Sequence, residues 1–207
     1  MLGRALLAAL LGAIVLMVWG MIYWVVLPFG FHVMDGADDE ARLAATLTET
    51  LPASGVYLVP WLAEAEGGEP SEAAFEGFVE RHRRGPVVQI FYSAEGREPM
   101  APSVFVAGFV NFFTSAMIAV GVLALGLPLW PRFGQRVLVV FLLGLFAAVT
   151  VEMANPIWMH HAWDYSAYRA LQHVSGWLLA GLAIAAVLKP RPMASAVEDR
   201  SGEVLGA

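Results

Sequence analysis

The chain has 207 residues, of which 58% are apolar and only 14% are charged, and its formal net charge at pH 7 is −6. Soluble domains are nearer half apolar and a quarter charged, so this composition excludes an ordinary soluble enzyme. The absence of cysteine excludes disulfides, thiolate zinc sites, iron–sulfur clusters and a cysteine nucleophile.

Four apolar runs are each long enough to cross a bilayer, which takes about 20 residues of helix. They cover residues 5–27, 104–127, 137–155 and 168–188. The first run continues through Trp19 and Trp24 to Pro28 without the small-x-small cleavage site of a signal peptide. We therefore expect residues 1–27 to be a retained signal-anchor helix, and residues 104–188 to hold transmembrane helices 2–4.

Basic residues in the short connections predict the orientation of these helices. They are Arg4, Arg132, Arg136, Lys189 and Arg191. By the positive-inside rule both termini are cytoplasmic, which places residues 28–103 and the connection 156–167 outside. We expect a multi-pass protein of a bacterial-type inner (plasma) membrane, in which residues 189–207 form a disordered cytoplasmic tail.

Residues 28–103 are predicted to form a small extracytoplasmic α+β domain, inserted between helices 1 and 2 of an α-helical integral membrane protein with a four-transmembrane-helix bundle. They carry 13 Asp and Glu residues and five Arg residues, a net charge of −8, whereas the rest of the chain has a net charge of +2. An acidic outer domain is not suited to nucleic acid or to an anionic lipid surface. We exclude nucleic acid as a partner.

The pattern within this domain predicts the order helix–strand–helix–strand. The acidic residues of 35–40 favour a helix start, because the helix dipole stabilises negative charge there, and Pro52 ends that helix. Ser71 is the expected cap of a second helix, which runs to Arg84.

Residues 56–59 and 87–92 are predicted to be short strands, and a strand–helix–strand unit is expected to cross over right-handed. Two strands alone are marginal in water, so the sheet must find a third strand, lie on the membrane or pair with another chain. Residues 85–92 are the expected docking edge, and a cap packed on its own bundle is the simpler alternative.

The outer domain contains one basic cluster, Arg81, His82, Arg83 and Arg84. It lies at the C-terminus of the second predicted helix, where the helix dipole stabilises cations in any case. Binding of an anionic ligand or partner is the alternative role.

Polar residues inside the apolar runs form a predicted intramembrane cluster: Asn111, Glu152, Arg169 and His173. Counted at about 1.5 Å per residue, Asn111, Glu152 and His173 lie within roughly 10 Å of the outer interface. Ionisable groups at this depth are costly and normally face a partner inside the bundle. Arg169 and His173 share one helical face, so we expect Glu152 to pair with either of them.

The connection between the third and fourth runs adds two adjacent histidines and an aspartate. The candidate metal ligands are therefore Glu152, His160, His161, Asp164 and His173. Nitrogen and carboxylate ligands in this mix suit zinc, copper, iron or manganese, although the spacing matches no helical His-Glu-x-x-His pattern. The alternative is an interfacial aromatic belt, with hydrogen-bonded pairing of the polar groups. Its members are Trp158, Trp163, Tyr165 and Tyr168.

No Ser/His/Asp order, phosphate loop or paired-carboxylate motif is present, so we assign no catalytic residue. The leading hypothesis is a non-enzymatic accessory or scaffold protein that presents the acidic domain as part of a larger membrane assembly. Pairs of small residues spaced four apart suit close packing with the protein's own helices, other membrane subunits or a second copy. These pairs are Ala8/Gly12, Gly176/Ala180 and Gly181/Ala185.

Two further functions remain open on the sequence. The first is a membrane metal-binding protein or oxidoreductase that uses the Glu/His/Asp cluster. The second is a transporter subunit, which ranks last because the chain shows no internal repeat and has a single acid within its apolar runs.

Overall fold

The computed structural model describes residues 2–62 and 69–190. These residues are mostly helical and include four helices that are long and apolar enough to cross a membrane, together with a small two-stranded sheet. The four spans are Leu2–Val26, Pro102–Leu125, Phe133–Trp158 and Trp163–Val187. The four runs predicted from the sequence are thus confirmed as helices, and the chain is a multi-pass membrane protein. Most of the predicted tail 189–207 lies outside the described residues.

The helices and strands follow in the order α1 (Leu2–Met21), α2 (Glu40–Thr50), β1 (Gly55–Val59), α3 (Glu72–Arg84), β2 (Val88–Tyr92), α4 (Pro102–Leu125), α5 (Phe133–Ala147), α6 (Ala154–Trp158) and α7 (Trp163–Val187). Two π-helical turns, Ile22–Val26 and Ala148–Glu152, continue α1 and α5. The chain leaves the first span, forms the sheet and then enters α4, and we call the end of the bundle where this happens the sheet end. The opposite end, near Leu2 and Val187, is the tail end.

Both helices of residues 28–103 begin at a side-chain cap, of which the sequence predicted the one at Ser71. The Asp39 carboxylate accepts a hydrogen bond from the Arg42 N–H at 3.0 Å, and the Ser71 hydroxyl accepts one from the Ala74 N–H at 3.2 Å. Each satisfies a backbone donor that the first helical turn leaves without a partner. Gly85, with φ of 70°, ends α3 in a conformation that favours glycine.

The two strands pair antiparallel, with Gly55 opposite Tyr92 and Val59 opposite Val88. The expected right-handed crossover is therefore wrong, because that connection requires parallel strands. The end of β1 and the start of β2 lie side by side. The connection that contains α3 therefore leaves the sheet and returns to it at the same end. A third strand is absent from the part of the chain that the structure describes.

In the bundle, α1 packs against α4 and α7, and α7 also packs against α5. Within the described residues, α4 makes few contacts with α5 or α7. The core lies toward the tail end, and its small residues let backbones approach closely. Its members include Ala8, Ala9, Ala116, Leu123, Val140 and Ile184.

α5 and α7 approach each other closely at Gly144 of α5, which is not among the small-residue pairs predicted from the sequence. A Cβ added to Gly144 would lie 2.2 Å from the Cβ of Trp177 on α7. Gly12 is the corresponding contact of α1, where an added Cβ would lie 2.9 Å from Ile184. Glycine at these points sets the distance between helices.

The connection 156–167, expected to be an outer loop, is mostly helical. α6 extends the third span to Trp158 and α7 begins at Trp163, so only residues 159–162 connect them. The carbonyl of Asn155 closes this turn by accepting hydrogen bonds from the N–H groups of Met159, at 2.8 Å, and His161, at 3.4 Å.

At the tail end, arginine side chains bind backbone carbonyls. Arg136 is buried and donates to the carbonyl oxygens of Trp130, Pro131 and Ala185, at 2.7–3.4 Å. Arg4 donates to the carbonyl oxygen of Val187 at 2.7 Å. These carbonyls include those at the end of α7 that lack helical donors, where a cation is favourable.

Candidate intramembrane site

Glu152 faces the interior of the bundle because of the π-helical turn in the third span. The Met153 N–H donates to the Ala148 carbonyl at 3.2 Å, five residues back rather than four. This wider turn leaves Val151 exposed on the outside of the bundle, while Glu152 is only 1% exposed. Pro156, which has no N–H, follows the turn and cannot donate to a carbonyl within it.

Arg169 of α7 neutralises this carboxylate. Its Nε lies 2.7 Å from Glu152 Oε2, and its Nη2 lies 3.0 Å from Oε1. Two parallel charge-assisted hydrogen bonds of this kind are among the stronger polar contacts in proteins. The Arg169 guanidinium carbon also lies 5.8 Å from the ring centroid of Tyr165, within the range of a cation–π contact. The pair therefore joins the third span to the fourth without a net charge.

His173 is the other partner expected for Glu152, and it lies one turn further along α7. Its Nδ1 is 3.3 Å from Glu152 Oε1, but the two groups are not aligned as a hydrogen bond. This nitrogen is buried and has no hydrogen-bond partner among the described residues. The histidine thus touches the ion pair without satisfying its own ring nitrogen.

A cavity of about 80 Å³ with a partly polar lining adjoins His173 between α1, α4 and α7. Its polar lining consists of Asn111, Ser115, Gln172 and His173. Trp19, Phe112 and Trp177 complete much of the wall. The cavity is large enough for water, which needs roughly 10–15 Å³ of such space and two to four polar partners. Asn111 itself is exposed at the surface of the bundle.

Of the five residues proposed as metal ligands, Glu152 and His173 are in contact, and no third residue joins them among the described residues. Asp164 accepts a hydrogen bond from the Tyr165 N–H at 2.7 Å, and the ring of His160 packs against that of His82, with centroids 5.2 Å apart. His161 lies in the short connection between α6 and α7. Across residues 2–62 and 69–190, no group of three or more His, Asp and Glu side chains could hold a metal ion. Both oxygens of Glu152 face Arg169 instead.

A reciprocal tyrosine pair lies beside the site. The sequence placed Tyr168 in the interfacial aromatic belt and did not predict its pairing with Tyr23. The Tyr23 hydroxyl donates to the Tyr168 carbonyl and the Tyr168 hydroxyl donates to the Tyr23 carbonyl, each at 2.8 Å. The Tyr23 carbonyl lacks a helical donor, because the Leu27 N–H donates to the Ile22 carbonyl and the next residue, Pro28, has no N–H. Tyr168 supplies the missing donor. The only signal in the sequence was Pro28 at the end of a span.

No protein-family model matches this chain, and comparisons with curated proteins and with solved structures find no match.

Proposed function

We propose that the protein is a non-enzymatic accessory or scaffold subunit of a larger membrane assembly, which holds an acidic extracytoplasmic domain at a bacterial-type inner membrane. In this proposal both termini are cytoplasmic, residues 28–103 are inserted between spans 1 and 2 on the outer side, and the sheet end faces outward. Support comes from the basic residues near the tail end, which include Arg4, Arg132 and Arg136.

The observation that carries the proposal is the cavity of about 80 Å³ between α1, α4 and α7, and we call the space between α4 and α7 beside it the groove. α4 rests on α1 and makes few contacts with α5 or α7 among the described residues. Asn111 is exposed on α4 beside the cavity that Gln172 and His173 line from α7. Polar side chains at this depth normally pair with another polar group, because lipid offers no hydrogen bonds.

We infer that a transmembrane helix of another subunit occupies this groove and hydrogen-bonds to Asn111 and its neighbours. Interhelical hydrogen bonds in membranes average about 0.6 kcal/mol each, so no single residue would carry the association alone. The ion pair between Glu152 and Arg169 also supports a structural role for this site. A carboxylate held by both oxygens in a bidentate ion pair is not poised to accept a proton from a substrate.

Cysteine-directed crosslinking tests the groove, since the natural sequence has no cysteine. Ser115→Cys places a benzophenone–maleimide crosslinker in the groove, because Ser115 lines the cavity. Ile118→Cys is the matched control on α4, because Ile118 is 65% exposed and is not part of that lining. Irradiation of native membranes should give one discrete protein adduct at position 115 and none at 118.

Adding Asn111→Leu to the Ser115→Cys variant should weaken that adduct, since it removes the facing amide. Equal adducts at both positions, or labelling of lipid alone at position 115, would contradict an occupied groove. Mass spectrometry of the adduct distinguishes another subunit from a second copy of this chain.

A further inference from the structure

A second cavity, of about 230 Å³, lies between the sheet, α3 and the end of the third span. Its lining is largely apolar and includes Leu58, Trp61, Phe78, Val88, Trp158 and Met159. Drug-sized ligands occupy pockets of about 300–1,000 Å³, so this smaller space suits a narrow aliphatic chain better than a large ring system.

The position of this cavity connects it to the bilayer. Trp158 is the last residue of the third span and also part of the cavity wall. Tryptophan at the end of a span marks the level of the lipid head groups. A chain entering the cavity therefore starts from the membrane surface.

The surface around the cavity is also suited to contact with lipid. Phe91 is 72% exposed and Val56, its partner across the sheet, is 57% exposed. Trp61, which lines the cavity, is 62% exposed. Large apolar side chains exposed beside one another indicate a binding surface rather than a face that only meets water. A two-stranded sheet needs such support, because it is marginal alone.

The rim of the cavity carries groups that suit a phosphate. Arg81 donates from Nη2 to the carbonyl oxygen of Trp61 at 3.4 Å, which holds the guanidinium beside the cavity while it remains exposed. His82 and His160 line the cavity and pack ring against ring. Arginine binds phosphate oxygens through its planar array of N–H donors.

We propose that this cavity binds an acyl chain of a phospholipid from the adjacent leaflet, with the lipid phosphate at Arg81. The apolar wall takes the chain and the guanidinium takes the phosphate, so the site anchors the sheet domain to the bilayer. The strong net negative charge of residues 28–103 favours a zwitterionic phospholipid over an anionic one. The inference is independent of the proposed accessory function, because it needs only a multi-pass protein with this cavity at its surface.

Photolabelling of the full chain in phosphatidylcholine nanodiscs tests the site. A trace of phosphatidylcholine with a diazirine in its acyl chain is irradiated, and labelled peptides are mapped by mass spectrometry. Lipid around the bundle will label the spans in any case, so the decisive peptides contain β1 and β2. We expect strong labelling of both.

Two matched pairs of variants distinguish lipid binding in the cavity from lipid contact with the surface around it. Leu58→Trp fills the cavity and should remove most of the β2 labelling, whereas Val56→Trp, on the same face of β1 but outside the lining, should preserve it. Arg81→Gln should lower labelling about tenfold, since a hydrogen bond from arginine to a charged phosphate contributes about 1.5 kcal/mol or more. Arg83→Gln, on the same helix but away from this cavity, should leave labelling unchanged.

Labelling confined to the spans would overturn the proposal, as would labelling of β2 that all four variants leave intact. Displacement of the label by a free fatty acid but not by lysophosphatidylcholine would assign the site to a fatty acid and overturn the phospholipid assignment. A dimer that Leu58→Trp abolishes while lipid labelling is absent would assign the cavity to a second copy.

Discussion

Glu152 and Arg169 form a bidentate ion pair that joins the third and fourth spans, with contacts of 2.7 and 3.0 Å. The carboxylate is fully buried, whereas the Arg169 side chain is 37% exposed. Removing Arg169 therefore has a different effect from removing Glu152. An isolated carboxylate would remain buried without a counter-ion, while an isolated guanidinium could still reach solvent or lipid head groups.

Arg169→Met should destabilise the protein by about 3 kcal/mol, the low end for a broken buried pair because the guanidinium is partly exposed. Glu152→Leu combined with Arg169→Met should recover most of that loss, since no unpaired charge then remains. Thermal unfolding in mild detergent measures both. A double variant no more stable than Arg169→Met would contradict a simple ion-pair role.

The reciprocal hydrogen bonds of the tyrosine pair predict that replacing each tyrosine with phenylalanine lowers the free energy of unfolding by a different amount. Tyr168→Phe removes the donor of the Tyr23 carbonyl, which has no helical partner, so it should cost about 1–3 kcal/mol. Tyr23→Phe removes a bond from the Tyr168 carbonyl, which lies within α7 and keeps its helical donor, so about 0.5–1.5 kcal/mol is expected. Unfolding midpoints of the two variants in detergent test the order, and equal losses would argue against it.

The close contact at Gly144 predicts that a methyl group added at this residue pushes α5 away from α7. Gly144→Ala would place a Cβ 2.2 Å from that of Trp177, which forces a backbone shift and should cost about 1–3 kcal/mol. Gly121→Ala on α4 is the matched control, because its Cβ would meet no atom within 4 Å. The control should be neutral or slightly stabilising, since alanine is the better helix former. Equal effects on the melting temperature would show that the close approach does not limit stability.

The proposed orientation predicts which positions a membrane-impermeant maleimide can reach. Ser54→Cys, beside β1, should be labelled in spheroplasts, whereas Gly134→Cys, near the start of α5, should be labelled only after the membrane is permeabilised. Both positions are in otherwise cysteine-free protein, so each signal has one source. The reverse pattern would place the sheet end in the cytoplasm and contradict the proposed topology.

The sequence alone determined the four spans, the cap of α3 and the two strands, because each depends on local rules: apolar length, side-chain capping and turn residues. It also identified Arg169 and His173 as partners for Glu152, since spacing of four places them on one face of a helix. These features require no knowledge of how distant parts of the chain meet.

The tertiary structure decided what spacing cannot determine. The antiparallel strand pairing, the contact of Gly144 with Trp177 and the reciprocal Tyr23–Tyr168 bonds each join segments that are far apart or differ in direction along the chain. The separation of His160 and His161 from Glu152 has the same origin, because a single π-helical turn directs Glu152 toward Arg169 while these two histidines stay in the connection. A one-residue change of helical register rotates a side chain by about 100°, which decides whether neighbouring residues share a site.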